Sequence, residues 1–172
     1  DIGKLFLDAV NYKGKVFNID PNKKMIAQGK KRFGNIKNIT WKLGSAEKLS
    51  FRENSFDYYA ISFGLRNTKN INKSIKEAYR VLKPGGRFLC LEFSKIENSN
   101  LEFLYKKYSK LIPIIGNFVV GEKEPYKYLI ESIDKFINQE ELIDYMIKNS
   151  FENCTYRNLS GGVVAIHSGW KI

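Results

Sequence analysis

Three apolar runs in this 172-residue chain break off at residues able to bind or polarise a ligand. The run KVFNID ends at Asp20, ahead of Pro21. A carboxylate closing a strand before a helix can accept hydrogen bonds from both hydroxyls of a nucleoside ribose, or it can cap the helix. The stretch KLGSAEKLSF puts Ser45 and the backbone of Ala46 where an adenine edge would lie beside such a ribose. The third run, FDYYAISFGLRN, gives way to Ser62-Phe63-Gly64-Leu65-Arg66-Asn67. There Gly64 permits close backbone approach, and Arg66 is either a surface ion-pair residue or a fixed cation for a bound anion or a developing negative charge. His167, the single histidine, sits among apolar neighbours and reads as a packing or hydrogen-bonding residue rather than a base. Cys90 and Cys154 lie far apart in apolar, strand-like runs, which argues against a disulfide framework or a zinc site and for a reducing compartment.

Hydrophobic periodicity supplies the elements that must carry these residues. It is helical over 2–10, strand-like over 15–19, helical over 22–33, and strand-like over 38–42 and 56–63. Ile71, Ile75, Ala78, Tyr79 and Leu82 define another helix, which Pro84 stops and which Gly85-Gly86 turn into the strand RFLCLEF. Continuously apolar strands separated by helices mark a parallel sheet covered on both faces, so the expected class is α/β, doubly wound and mostly parallel. The rhythm changes over 97–135, which has helical patches (Leu101, Leu104, Tyr105, Tyr108 and Leu111 on one face) but no strand, and reads as a lid or substrate insertion. Asn138 and Glu141 then have the spacing of a capping box, and 153–159 with 163–170 form an antiparallel hairpin about Ser160-Gly161-Gly162. One domain over 1–172 accounts for the length.

With 43% hydrophobic and 27% charged residues, the chain has a core's worth of apolar side chains and no run approaching a membrane span. Its formal charge of +11 invites an anionic partner, nucleic acid or lipid. The 23 lysines among 29 basic residues, mixed with much Asn and Ile along the whole chain, are also what an AT-rich genome would encode.

The segments FDYYAISFGLRN, EAYRVLKPGGRFLCLEFSK, YKYLIESIDKF and GGVVAIHSGWK together resemble the ubiquinone/menaquinone biosynthesis C-methyltransferase family, within the class I S-adenosylmethionine-dependent methyltransferases. The resemblance runs from Asp1 to Ile172. LKPGG is shared by many methyltransferases of the class, whereas ISFGLRN, LEFSK and YLIES together are specific. IESIDKF and AIHSGWK are similar to mitochondrial and related bacterial ubiquinone enzymes.

The resemblance implies S-adenosylmethionine as cofactor and a polyprenylated benzoquinol of the 2-methoxy-6-polyprenyl-1,4-benzoquinol type, methylated on a ring carbon. Asp20 would hold the ribose, Ser45 and Ala46 the adenine side, and Ser62 the methionine part; Asp1 and Ile2 look like the last Asp of the family's Gly-Gly-Thr-Gly-Asp turn and the residue after it. Arg66 would stabilise phenolate character with Asn67 positioning, and Tyr126 or Glu122 are possible aids to proton removal. The family's first strand and glycine turn lack counterparts here, so a truncated chain is expected, with the strands ending at Asp20 and Phe63 not pairing directly. The implied setting is the matrix side of the mitochondrial inner membrane, or the bacterial cytoplasm at the membrane periphery. The Lys-bearing helix over 101–112, with Lys106, Lys107 and Lys110, is the expected lipid contact, and a homodimer or a quinone-biosynthesis complex the expected assembly. Rival readings are methylation of a menaquinone precursor, a non-catalytic scaffold subunit, and a nucleic-acid methyltransferase. The last is disfavoured because Ser-Phe-Gly-Leu-Arg-Asn stands where an Asn/Asp-Pro-Pro-aromatic turn would accept amine hydrogens.

Overall fold

The computed structural model describes residues 2–97, 99–101, 103, 105 and 124–172. Helix α1 (Ile2–Ala9) leads into strand β1 (Val16–Asp20), helix α2 (Lys23–Phe33) and strand β2 (Ile39–Leu43). Strand β3 (Phe56–Ser62), helix α3 (Ile71–Val81) and strand β4 (Leu82–Phe93) follow. After the incompletely described stretch come helices α4 (Glu124–Lys135) and α5 (Gln139–Lys148) and strands β5 (Glu152–Leu159) and β6 (Val164–Trp170).

The α/β class agrees with the hydrophobic pattern, and the sheet is mixed. β1 and β2 pair in parallel, Asp20 opposite Leu43. A four-stranded sheet runs β3-β4-β6-β5, with β3 and β4 parallel and β6 antiparallel to both its neighbours. β1 and β3 are not hydrogen-bonded to each other, in line with the expectation for the strands ending near Asp20 and Phe63. Aromatic packing and a loop link the two sheets instead. Phe17 of β1 meets Phe51 and Phe56 edge-on at 5.4 and 5.6 Å between ring centroids. The loop after β2 is tied to α3: Glu77 accepts the Leu49 N–H at 2.8 Å, and Arg80 donates to the carbonyls of Phe51 and Leu49.

One core lies between the four-stranded sheet and helices α3 and α5. Ile75, Ala78 and Leu82, at helical spacing, meet Phe88 and Cys90 of β4 and Leu142 and Met146 of α5, all buried. Each fully buried Ile, Leu, Phe or Met among them stabilises by about 1.5–3 kcal/mol. The α5 N-terminus is the capping box read from the sequence: the Asn138 side chain accepts the Glu141 N–H at 2.9 Å, and the Glu141 carboxylate accepts the Asn138 N–H at 2.8 Å. The final hairpin turns through Ser160, Gly161 and Gly162, all at positive φ.

The segment around Pro84 keeps the turn the sequence implied, with Gly85 at φ +77°, and sets it as an irregularity within β4. α3 ends at Val81 and β4 begins at once at Leu82, so 82–86 is strand. Long-range pairing holds that turn in place: Leu82 is in register with Phe56 and Arg87 with Tyr58, Gly85 N–H donates to the Lys171 carbonyl at 2.6 Å, and Lys171 N–H donates back to Gly86 at 2.9 Å. Of the expected lid, residues 98, 102, 104 and 106–123 lie outside the described residues. Among them are Tyr108, Glu122 and the lysines of the helix expected over 101–112.

Candidate functional site

The C-terminal ends of β1 and β2 bring Asp20, Ser45 and Ala46 to one place, because Gly44 N–H donates to the Asp20 carbonyl at 3.1 Å. α2 begins with Asn22 as its cap, the Asn22 side chain accepting the Lys24 N–H at 2.8 Å. Capping is therefore not Asp20's task. Its Oδ1 accepts the Asn22 N–H at 2.7 Å, which fixes the carboxylate's direction, and Oδ2 makes no hydrogen bond among the described residues. Ser45 closes a small turn, its hydroxyl accepting the Glu47 N–H at 3.2 Å, and Ala46 beside it is half-buried. Asp1 lies outside the described residues.

Ser62, Arg66 and Asn67 gather at the end of β3, in the other sheet. The sharp residue of this turn is Phe63, at φ +52°, while Gly64 has an ordinary φ of −118° and lies against Ile61, where a Cβ would sit 3.3 Å from Cγ1. Left-handed backbone at Phe63 turns its carbonyl toward the short helical turn Leu65–Asn67, where Arg66 Nη1 donates to it at 2.7 Å. The same nitrogen donates to Glu92 Oε1 at 2.7 Å. Only 8% of the Arg66 side chain and 1% of the Glu92 side chain are exposed. Arg66 is thus a cation fixed in a buried ion pair, not in the surface pair that was the other reading of its place in the sequence.

Glu92 is the residue that motif reading missed. Its Oε1 also accepts the Phe93 N–H at 2.9 Å and its Oε2 the Arg66 N–H at 3.3 Å, so one carboxylate ties the end of β4 to both the backbone and the side chain of Arg66. A signal was present: Glu92 falls on the same alternate positions of β4 as buried Phe88 and Cys90, and a carboxylate pointing into a core requires a partner. The guanidinium is also stacked over Phe93, 5.1 Å from the ring centroid.

Helix α4 completes the arrangement from the far side. Arg66 Nε donates to the Ser132 hydroxyl at 3.3 Å, and the Tyr128 hydroxyl donates to Asn67 Oδ1 at 3.0 Å. Arg66, Tyr128, Ser132, Glu131, Lys135 and Phe136 border a cleft of about 220 Å³. The third guanidinium nitrogen, Nη2, has no hydrogen bond among the described residues. Tyr126 is half-buried on the same helix. His167 is remote in role: it is 2% exposed, its Nε2 lies 3.1 Å from the Gln139 carbonyl, and burial lowers its pKa, which keeps the ring neutral.

With this geometry in hand, the comparisons are decisive. The model of the ubiE/COQ5 methyltransferase family matches residues 1–171. The chain belongs to that family. Family members similar to it include the ubiquinone/menaquinone biosynthesis C-methyltransferase UbiE of Rickettsia bellii (strain OSU 85-389), 51% identical over 157 residues, with 89% of this chain and 63% of the relative covered. The protein of the same name from Brucella abortus (strain S19) is 44% identical over 176 residues, covering 100% of this chain and 65% of the relative. The ubiE/COQ5 chain thus spans just under two thirds of the length of these relatives. They are bacterial, and the mitochondrial location finds no support in them. Among solved structures, an S-adenosylmethionine-dependent methyltransferase from Aquifex aeolicus superposes with a TM-score of 0.70 at 15% identity, covering 98% of this chain and 75% of its own. That likeness shows the fold, the class I methyltransferase fold expected for the family. Among the described residues, no helix is long and apolar enough to cross a membrane.

Proposed function

We propose that the protein transfers a methyl group from S-adenosylmethionine to a ring carbon of a polyprenylated benzoquinol, of the 2-methoxy-6-polyprenyl-1,4-benzoquinol type, in ubiquinone biosynthesis. The observation that carries this reading is the Arg66 guanidinium, clamped by Glu92, Phe63 and Ser132 on the rim of a cleft at the end of β3. In this fold class, that strand end faces the reacting group. The Asp20 carboxylate suits the cofactor's ribose, since Oδ1 is anchored and Oδ2 is left to accept, with Ser45 and Ala46 next to it for the adenine and Ser62 for the methionine part.

When bound, S-adenosylmethionine supplies a sulfonium-activated methyl group. The chain's own residues have two tasks, alignment and charge stabilisation. Transfer would form a carbon–carbon bond at the expense of the cofactor's methyl–sulfur bond, and the proton of that ring carbon would leave to water. Electron density for the attack would come from the adjacent ring oxygen once its hydroxyl has ionised, and Arg66 would donate to that oxygen and stabilise the phenolate from which the ring carbon attacks. Glu92 neutralises the pair's net charge, so Arg66 acts as an oriented hydrogen-bond donor more than as a bare cation. Asn67, held by Tyr128, positions the ring, and helix α4 borders the cleft that would take it.

The test is methyl transfer from labelled S-adenosylmethionine to a reduced prenyl benzoquinol, with the product's methyl located by NMR. A new methyl on the ring carbon is the expected result. Preference for a demethylnaphthoquinol assigns the protein to menaquinone precursors instead. A methyl on oxygen or on a nucleobase, or cofactor binding without any turnover, overturns the reading.

A further inference from the structure

The positive charge is not spread along the whole chain as the lysine-rich composition implied. Residues 13–42 carry nine Lys or Arg and one Asp, a net +8 of the chain's +11. A codon bias acts on every segment alike and does not concentrate charge in one supersecondary unit. That unit is β1, α2 and β2.

Register places its helices on a common surface. Asn18 of β1 and Trp41 of β2 are directly opposed, so their side chains share one face of the sheet. Gly3 of α1 sits on Asn18, and Gly29 of α2 sits on the Trp41 ring. α1 and α2 therefore lie side by side on that face. On α2, Ile26 and Gly29 point inward, and at 100° per residue Lys24 and Lys31 fall opposite them with Lys23 and Lys30 on one flank. All four lysines are exposed, and none has an acidic partner among the described residues. Apolar side chains stand out beside them: Met25, on the flank of α2 away from Lys23 and Lys30, is 57% exposed, and Leu5 of α1 is 61% exposed.

We propose that the outer surface of α1 and α2 docks on an anionic lipid bilayer, the lysines meeting headgroup phosphates while Met25 and Leu5 enter the interface. Lipid is favoured over nucleic acid by the side chains present. The cations are lysines, compact point charges that extend to a headgroup plane, with Arg32 the one arginine of the helix. α2 exposes no aromatic ring on which a base could stack. Lysines alternating with apolar residues are the composition of an interfacial helix. This surface is separate from the Arg66 cleft, so the docking proposal and the methyl-transfer reading fail or stand independently.

Sedimentation of the chain with vesicles tests it. Binding is expected to phosphatidylcholine vesicles containing about one third phosphatidylglycerol and not to phosphatidylcholine alone, and it should fall as salt shortens the Debye length. Each lysine near an anionic surface contributes roughly fivefold. The variant K23Q/K24Q/K30Q/K31Q is therefore expected to lose on the order of 100-fold or more in partitioning, with an unchanged circular dichroism spectrum. An equal change elsewhere, K69Q/K73Q/K76Q/K148Q, should cost no more than about fivefold. Failure of the unaltered chain to bind the anionic vesicles overturns the proposal. So does equal loss in the two variants, or tighter binding to single-stranded RNA than to vesicles at the same ionic strength.

Discussion

Breaking the Arg66–Glu92 pair should cost several times what an exposed ion pair costs. The perturbations are Arg66→Met and Glu92→Met, alone and together, since Met roughly fills either side chain's volume without its charge. With 8% and 1% of the two side chains exposed, neither group recovers its hydration when its partner is removed. An uncompensated charge at such depth costs about 3–5 kcal/mol. Glu92→Met also removes the acceptor for the N–H groups of Phe93 and Arg66, which places it at the upper end of that range. The double variant leaves no buried charge, so its cost should fall short of the summed singles by at least about 2 kcal/mol. The internal standard is the Lys83–Asp57 pair, with side chains 45% and 74% exposed, where Lys83→Met should cost under about 1 kcal/mol. Urea unfolding followed by circular dichroism reads all four variants, with a constant m-value as the check on two-state behaviour. If Arg66→Met costs no more than Lys83→Met, or if the two single changes simply add, the pair is not the clamp described here and the argument for an oriented Arg66 collapses with it.

Three further outcomes follow from the same structure. Asp20→Ala should weaken S-adenosylmethionine binding by about 1.5–3 kcal/mol in a calorimetric titration, since it removes a charged acceptor of ribose hydroxyls, and unchanged affinity would remove Asp20 from the cofactor site. Gly29→Ala should destabilise by about 1–3 kcal/mol, although Ala ordinarily favours a helix, because the added Cβ would fall on the Trp41 ring; a higher melting temperature would contradict that close packing. Burial lowers the His167 pKa in the folded chain, so stability is full above the unfolded value of about 6.5 and is lost as pH falls below it, by at most about 1.4 kcal/mol per unit. In His167→Gln, which removes the sole histidine, the dependence of the urea midpoint between about pH 7.5 and 5.5 should flatten, and an unaltered slope would assign the titration elsewhere.

Local patterns in the sequence determined the elements of this protein whose stability is itself local. The capping box at Asn138 and Glu141, the turn through Ser160 to Gly162, and the helical spacing of Ile71, Ile75 and Ala78 are short-range signals, and the structure agrees with each, while Leu82, read with that helix, opens β4. The strand-end positions of Asp20, Ser45, Ser62 and Arg66 were legible too, because an apolar run that stops at a polar residue marks where a buried strand reaches solvent. The tertiary structure alone decided which groups meet. Arg66 and Glu92 are 26 residues apart, and only the parallel pairing of β3 with β4 brings them within 2.7 Å, which makes the cation read at this strand end half of a buried ion pair. The Pro84 turn was legible on its own, and Gly85 takes φ +77° there, but its place inside β4 depends on Phe56 and Lys171 reaching it from distant parts of the chain. Charge clustering over 13–42 is present in the order of the residues, yet the sharing of one face by α2 and α1 depends on the Asn18–Trp41 register. Such contacts carry no local signature, since the free energy that selects them is shared between segments that meet only in the folded chain.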